Sequence, residues 1–244
     1  MLSQVTDVSA SRPSTPTDTH PVVYVVDDDI DVRESLEGLI AATGLQAVTF
    51  ASGEEFLRCE RLLRASCLLL DYTLPELNGL QIQERIAASR PEMPIIFITG
   101  HGDVPMTVKA MKAGAVEFLT KPFNAQILLG AIKSAIKRSH AALLHEAHMS
   151  ALRNRYLSLT VREREVMELV VHGLLNKQIA AELGITEFTV KVHRGRAMKK
   201  MRADSLADLV KLSTIHQHGV SQLNEPPTTD LMANCRRINR RFPI

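Results

Sequence analysis

The feature that most constrains this chain is a rhythm of five short, almost uninterrupted apolar stretches, each running into polar residues at its C-terminal end. They fall at residues 22–26, 45–50, 67–70, 95–99 and 116–119. Runs this short and this apolar suit strands covered on both faces, as in a parallel sheet. The stretches between them have helical character. Leu36, Leu39 and Ile40 recur at helical spacing before Gly44, and Ser52 can cap a helix running to about residue 60. A helix over 78–89 is punctuated by Pro91 and Pro94, one over 104–113 closes at Gly114, and a last one starts at Asn124. Strand–helix alternation predicts an α/β domain with a doubly wound, five-stranded parallel sheet.

This domain should occupy residues 21–137, because the text changes on either side of it. Residues 1–20 are rich in Ser, Thr and Pro and nearly lack large apolar groups, the composition of a disordered tail. Residues 138–156 are polar, free of Gly and Pro, and predict a helical linker continuing the domain's last helix. Residues 157–216 predict a small all-α domain of several short helices. Residues 217–244 lack periodicity and suggest a second disordered tail, with a basic end.

Charge matters here by position rather than by sum. The net charge is only +2, but residues 190–202 hold six Lys or Arg and no acid, while residues 26–31 hold four Asp. The first field attracts nucleic acid and the second a divalent cation. Cys59, Cys67 and Cys235 have no metal-ligand spacing and are too few for a disulfide framework. Cys67 opens an apolar run and should be a small core residue. With no secretory signal and no apolar run near the ~20 residues that cross a bilayer, the chain reads as soluble and cytoplasmic, without a membrane partner.

In open α/β sheets, ligands gather at the carboxyl ends of the strands. Asp27 and Asp28 follow the first strand, Asp71 ends the third, Thr99 ends the fourth, and Lys121-Pro122 follows the fifth. Any one of these could be an ordinary turn residue. Five at successive strand ends form a site. Three carboxylates on one edge repel each other and favour a bound divalent cation, and Mg²⁺ suits an all-oxygen set. With charge neutralised, one carboxylate can attack phosphorus, while a hydroxyl and an ammonium hold the phosphoryl oxygens.

These stretches resemble the receiver domain of bacterial two-component response regulators: VVDDD at 25–29, LLLDYTLP at 68–75, ITGHGD at 98–103 and MKAGAVEFLTKPF at 111–123. The last two resemble the FixJ-like subgroup in particular. The resemblance implies that Asp71 is the phosphoacceptor, and that Asp28, Asp71 and the backbone carbonyl of Thr73 hold Mg²⁺, with Asp27 assisting through water. It implies that Thr99 and Lys121 contact the phosphoryl group, that Phe118 takes the aromatic switch position, and that a sensor histidine kinase is the donor. The tract after Asp71 reads Tyr72-Thr73-Leu74, where relatives often carry Met or a basic residue. Thr73 and His101 beside the site would set water access and so the lifetime of the acyl phosphate.

The segment 159–201 has its own logic. Thr160 and Glu163 have capping-box spacing, Val166, Leu169 and Val170 form a stripe, and Gly173 ends that helix. Asn176 is the expected cap of a second helix, Gly184 supplies a turn, and Thr186 caps a third. Two short helices about a glycine turn form a helix–turn–helix, whose second helix enters the major groove of DNA. On that helix Val190, Ala197 and Met201 should be buried, with Glu187, Phe188, Lys191, Val192, Gly195 and Lys199 on the opposite side. Lys191, Val192 and Lys199 offer donors, an apolar surface and cations, and Gly195 allows close approach. Lys177, Thr189, His193, Arg194 and Arg196 flank this surface as candidate phosphate contacts, and Asn176 joins them as a DNA-site candidate.

This segment resembles the LuxR-type output domain, with LTxREREV, NKQIAxxLGIT and TVKVHR all present. Gly195 stands where some relatives have Lys, and Arg202-Ala203-Asp204 replaces a commoner Gly-containing turn. Together the resemblances imply a response regulator, not an enzyme, that forms a homodimer when phosphorylated, binds promoter DNA and engages RNA polymerase. A phosphatase acting on small substrates would normally place a second Asp two residues after the first, where this chain has Thr73. A protein-binding module using the basic helix is the other rival, and the salt dependence of DNA affinity separates it from a DNA reader.

Overall fold

A computed structural model describes residues 20–100 and 102–224, with side chains through His216. The expected tail over residues 1–20 apart from His20, most of the expected C-terminal tail, and His101 lie outside the described residues. The chain divides into two compact units, Met1–His145 and Glu146–Ile244.

In the first unit the strands are β1 (Val22–Val26), β2 (Gln46–Phe50), β3 (Ser66–Asp71), β4 (Ile95–Thr99) and β5 (Glu117–Thr120). All pair in parallel, in the order β2-β1-β3-β4-β5. The helices are α1 (Ile30–Ala41), α2 (Gly53–Arg58), α3 (Gly79–Ser89), α4 (Val104–Lys112) and the part of α5 (Ala125–Leu157) up to His145. The doubly wound sheet is the one the apolar rhythm predicts. Every residue of β1, β3 and β4 is buried, which is why these segments carry no polar alternation.

Side chains alternate across the sheet and build two cores. On one face Val23, Val25, Leu69, Ile96 and Ile98 pack with Leu36 and Ile40 of α1 and with Leu128 and Ile132 of α5. On the other, Tyr24, Leu68, Leu70 and Phe97 pack with Phe56 of α2 and with Ile82 and Ile86 of α3. Cys67 belongs to the first core, and burial pushes its thiol up to about 12. Ser139 of α5 is fully buried and accepts the Ser66 N–H at 3.1 Å, satisfying the first amide of β3.

Strand bounds shift by a residue: β2 begins at Gln46 rather than at 45, and β3 spans Ser66–Asp71 rather than 67–70. The fifth strand is Glu117–Thr120 rather than 116–119, since Val116 N–H instead bonds the Ile95 carbonyl as the chain enters the sheet. The last helix, expected to begin at Asn124 and to continue through a helical linker over 138–156, runs unbroken from Ala125 to Leu157, with no Pro and only Gly130 in its length.

The second unit contains α6 (Val161–Val171), α7 (Asn176–Leu183), α8 (Glu187–Met201) and α9 (Leu206–Asn224). Its core joins Val166, Met167 and Val170 of α6 with Ile179 of α7, Val190, Ala197 and Met201 of α8, and Leu209 of α9. Gly184 ends α7 at φ +64°, a left-handed conformation that costs glycine nothing. Helix α9 continues to Asn224, past the expected boundary at 216. Between Leu206 and Pro226 only Gly219 opposes helix, and one glycine costs about 1 kcal/mol. No described helix is long and apolar enough to cross a membrane.

Candidate functional site

The order of strands reverses between β1 and β3, and the acidic residues stand at the carboxyl end of that switch point. Asp27 follows β1 and is fully buried, Asp71 is the last residue of β3, and Asp28 is exposed beside them. One carboxylate oxygen from each lies within 4.8 Å of the others. Asp28 faces solvent, while Asp27 is held in place by its own loop: the Asp29 N–H donates to Asp27 Oδ1 at 3.0 Å.

Lys121 reaches this cluster from the segment after β5. Its ammonium donates to Asp27 Oδ2 at 2.6 Å and to Asp71 Oδ2 at 2.8 Å. Its own backbone N–H bonds the Thr99 carbonyl at 2.7 Å, which fixes where the side chain starts. Burial pushes the Asp27 carboxyl up despite the ammonium beside it, and two carboxylate partners hold Lys121 protonated against its own burial. The remaining Asp71 oxygen, Oδ1, accepts the Thr73 N–H at 2.8 Å. Thr99 is fully buried at the end of β4, its residue pairing with Thr120 of β5.

Phe118, half-buried on β5, stands in an aromatic set with Phe97 and Tyr72, ring centroids 5.6 to 6.1 Å apart. Tyr72 was legible only as the residue after Asp71; its ring packing depends on a β3–β4–β5 neighbourhood that no local pattern reveals. Arg33 is a second residue the sequence reading passed over. Its guanidinium donates to the carbonyls of Asp27 at 2.7 Å and Asp28 at 3.0 Å, bracing the acidic loop from the first turns of α1. The signal was available: a cation one helical turn after Asp29, the last of three successive aspartates. Gly79 is a third. A Cβ there would lie 2.6 Å from the Phe97 ring and 3.1 Å from the Asp71 carbonyl, so only glycine lets α3 start this close to β3.

The basic candidates lie in the second unit. Thr160 and Glu163 form the expected capping box at the start of α6. The buried Glu163 also accepts Lys200 Nζ at 2.6 Å, and Lys200 donates to the Ser158 carbonyl at 3.0 Å. Burial opposes ionisation of Glu163, but Lys200 and the Thr160 N–H outweigh it and hold the carboxyl below its ordinary range. One cation of the basic run is therefore committed to the fold.

Asn176 is not the cap expected of it. It is the first residue of α7, preceded by Leu175, whose N–H bonds Gln178 Oε1 at 2.8 Å. Its side-chain oxygen instead accepts Arg194 of α8 at 3.3 Å, so these two candidates bond each other across the helix pair. Thr189 is engaged locally with the Thr186 cap, and His193 is half-buried. Lys177, Lys191, Gly195, Arg196 and Lys199 are exposed and Val192 is half-buried, forming one outward surface of α7 and α8. The turn after α8 is closed by Arg202 in a left-handed conformation (φ +56°), with the Ala203 N–H on the Met198 carbonyl at 3.0 Å. That settles the path into α9: an arginine adopts the conformation that glycine usually supplies.

Comparison with known proteins finds a family model described as response regulator receiver domain over residues 23–133, and one described as bacterial regulatory proteins, luxR family, over residues 157–213. The chain is 50% identical over 195 residues to Nodulation protein W of Bradyrhizobium diazoefficiens, covering 80% of this chain and 86% of that protein. It is 41% identical over 191 residues to the transcriptional regulatory protein FixJ of the same organism, covering 78% and 93%. Among solved structures it is similar to the response regulator StyR, at 46% identity and a TM-score of 0.75, covering 80% of this chain and 99% of that one.

Proposed function

From the premise that the chain belongs to the two-component response regulators that join a receiver domain to a LuxR-type DNA-binding domain, we propose that Asp71 is its phosphoacceptor and that α8 is its DNA-reading helix. The observation that carries the proposal is the pairing of Lys121 with both Asp27 and Asp71 at the carboxyl edge of the sheet. A half-buried ammonium shared by two buried carboxylates serves no packing purpose, but it stands where transferred phosphoryl oxygens need a cation.

The donor set fits Mg²⁺: three hard carboxylate oxygens within 4.8 Å of one another, with the Thr73 carbonyl in the adjoining loop. When bound there, Mg²⁺ supplies charge neutralisation for an incoming phosphoryl group. In the proposed reaction an Asp71 carboxylate oxygen attacks phosphorus on the phosphohistidine of a partner sensor kinase. An acyl phosphate forms as the P–N bond breaks, and the imidazole leaves. Lys121 then follows the charge from the carboxylates to the phosphoryl oxygens, and Thr99 donates its hydroxyl to another. Departure of Lys121 frees the segment after β5, and Phe118 repacks with it.

The output follows from α4. Of its nine residues only Ala110 is buried, while Val104, Val108 and Met111 are exposed at helical spacing. We propose that this face and β5 pair between two phosphorylated chains, placing two α8 helices on a two-fold symmetric promoter site and presenting the complex to RNA polymerase in the cytoplasm. The flanking tails, 1–20 and 217–244, have no assigned part in this reading.

Genome-wide mapping of bound DNA in wild type and Asp71→Asn tests the whole scheme. Wild type should gain one phosphoryl group by intact mass and occupy its promoters on stimulation; the variant should do neither. Identical occupancy and transcription in the two would overturn the switch while leaving DNA binding intact.

A further inference from the structure

Phe188 is the second residue of α8 and is 76% exposed. It is absent from the apolar residues, buried or partly buried, that make up the core of its unit. Folding therefore gives no account of a phenyl ring at this position. Its place on the helix does. At about 100° per residue, Val192, Gly195 and Lys199 fall within about 40° of the line through Phe188, with Lys191 beside them. Val190, Ala197 and Met201, all fully buried, lie opposite. The ring therefore heads the outward stripe, and Gly195 leaves open space one and a half to two turns further along, with nothing within 4 Å of where a Cβ would stand.

Resting on the DNA-reading role of α8 proposed above, we infer that Phe188 is a specificity-determining residue that packs on the 5-methyl group of a thymine in the major groove. Three observations choose this occupant. The stripe is flanked by the exposed cations Lys177, Lys191, Arg196 and Lys199, which fit a polyanion and disfavour a basic or apolar protein partner. The N-terminal residues of a recognition helix are the ones that meet base edges. The only apolar feature on the major-groove edge of a base pair is the thymine methyl, and phenylalanine is a side chain that contacts it. Val192 lies within 40° of the same line, so the two apolar groups can read adjacent positions.

The test is selection from a randomised duplex library by the full-length protein, treated with a small acyl phosphate and Mg²⁺, for wild type, Phe188→Ala and Phe188→Leu. Wild type should enrich a thymine at one position of each half-site. Phe188→Ala should lose that preference, and Phe188→Leu, which keeps apolar bulk, should retain part of it. On the selected site, replacing that thymine by uracil removes only the methyl group. This should weaken wild-type binding about four-fold, the equivalent of ~0.8 kcal/mol for one buried carbon group, and leave Phe188→Ala binding unchanged. Superimposable thermal unfolding of the variants excludes a folding defect as the cause. The inference is overturned if Phe188→Ala selects the same bases, or if uracil weakens both proteins equally. Failure of wild type to enrich any sequence would sink the DNA-reading role itself, and Phe188 with it.

Discussion

Replacing Lys121 by alanine removes a cation that Asp27 and Asp71 share. Asp27 is fully buried and Asp71 nearly so, so the variant keeps two neighbouring carboxylates with their charges uncompensated. Breaking a buried pair by deleting one partner costs about 3–5 kcal/mol, and the lower end applies because Lys121 is 22% exposed and water reaches the site. About 3 kcal/mol is roughly 150-fold in the opening equilibrium. Hydrogen exchange of the β1 and β3 amides, which reports this unit alone, should accelerate by about two orders of magnitude at pH 7. The same variant should gain more from Mg²⁺ than wild type does, because no ammonium has to leave the carboxylates first. At one hundred times its dissociation constant Mg²⁺ adds about 2.7 kcal/mol, returning most of the lost protection. The deficit should also shrink as pH falls and Asp27, whose carboxyl is already pushed up by burial, becomes protonated. Unchanged exchange in Lys121→Ala, or an equal response of both proteins to Mg²⁺, would refute the pairing as the organiser of this site.

Arg202→Gly should stabilise the second unit by about 1 kcal/mol, since φ +56° strains arginine and not glycine; exchange of α8 amides should slow about five-fold, and no slowing would deny the strain. The Glu163 carboxyl is held below its ordinary range, so its contribution is complete above about pH 4.5 and is lost as pH falls through its lowered pKa. Glu163→Gln should cost about 1–2 kcal/mol at pH 7 and flatten acid unfolding of this unit in that window. Lys177→Ala should lower the slope of log affinity against log salt by about one without changing the bases selected, and an altered sequence preference would move Lys177 from phosphate to base contact.

The sheet and the acidic cluster were legible because their information is local. An apolar run announces a buried strand, and the polar residue that stops it marks the strand's end. Asp27, Asp28, Asp71, Thr99 and Lys121 are therefore assigned to one edge by the sequence alone. What Lys121 does there was not legible: its bond to Asp27 spans 94 residues and depends on the angle at which the segment after β5 leaves the sheet. The same division holds in the second unit. Thr160 and Glu163 are three residues apart and announced their capping box, whereas Lys200, 37 residues further on, closes it only in three dimensions. Asn176 misled because asparagine beside a helix start usually caps it; here the chain enters the helix one residue earlier, and the side chain is drawn to Arg194 instead. Arg202 gave no signal, since the left-handed turn was read from the glycine it lacks.

The sheet also has a gradient of stiffness. Asp71 ends a strand whose six residues are all buried and which is bonded on both sides, by β1 and by β4. Two strands away, β5 is four residues long, only half-buried and at the sheet's edge, and α4 beside it anchors through a single buried alanine. The free energy of local opening therefore falls steeply from the centre of the sheet to this margin. A group attached at Asp71 cannot displace the strand that carries it, so any strain it introduces relaxes where resistance is least. On the proposed role of Asp71, direction is thus built into the elastic properties of the fold: a modification made at a rigid point is expressed at a compliant margin.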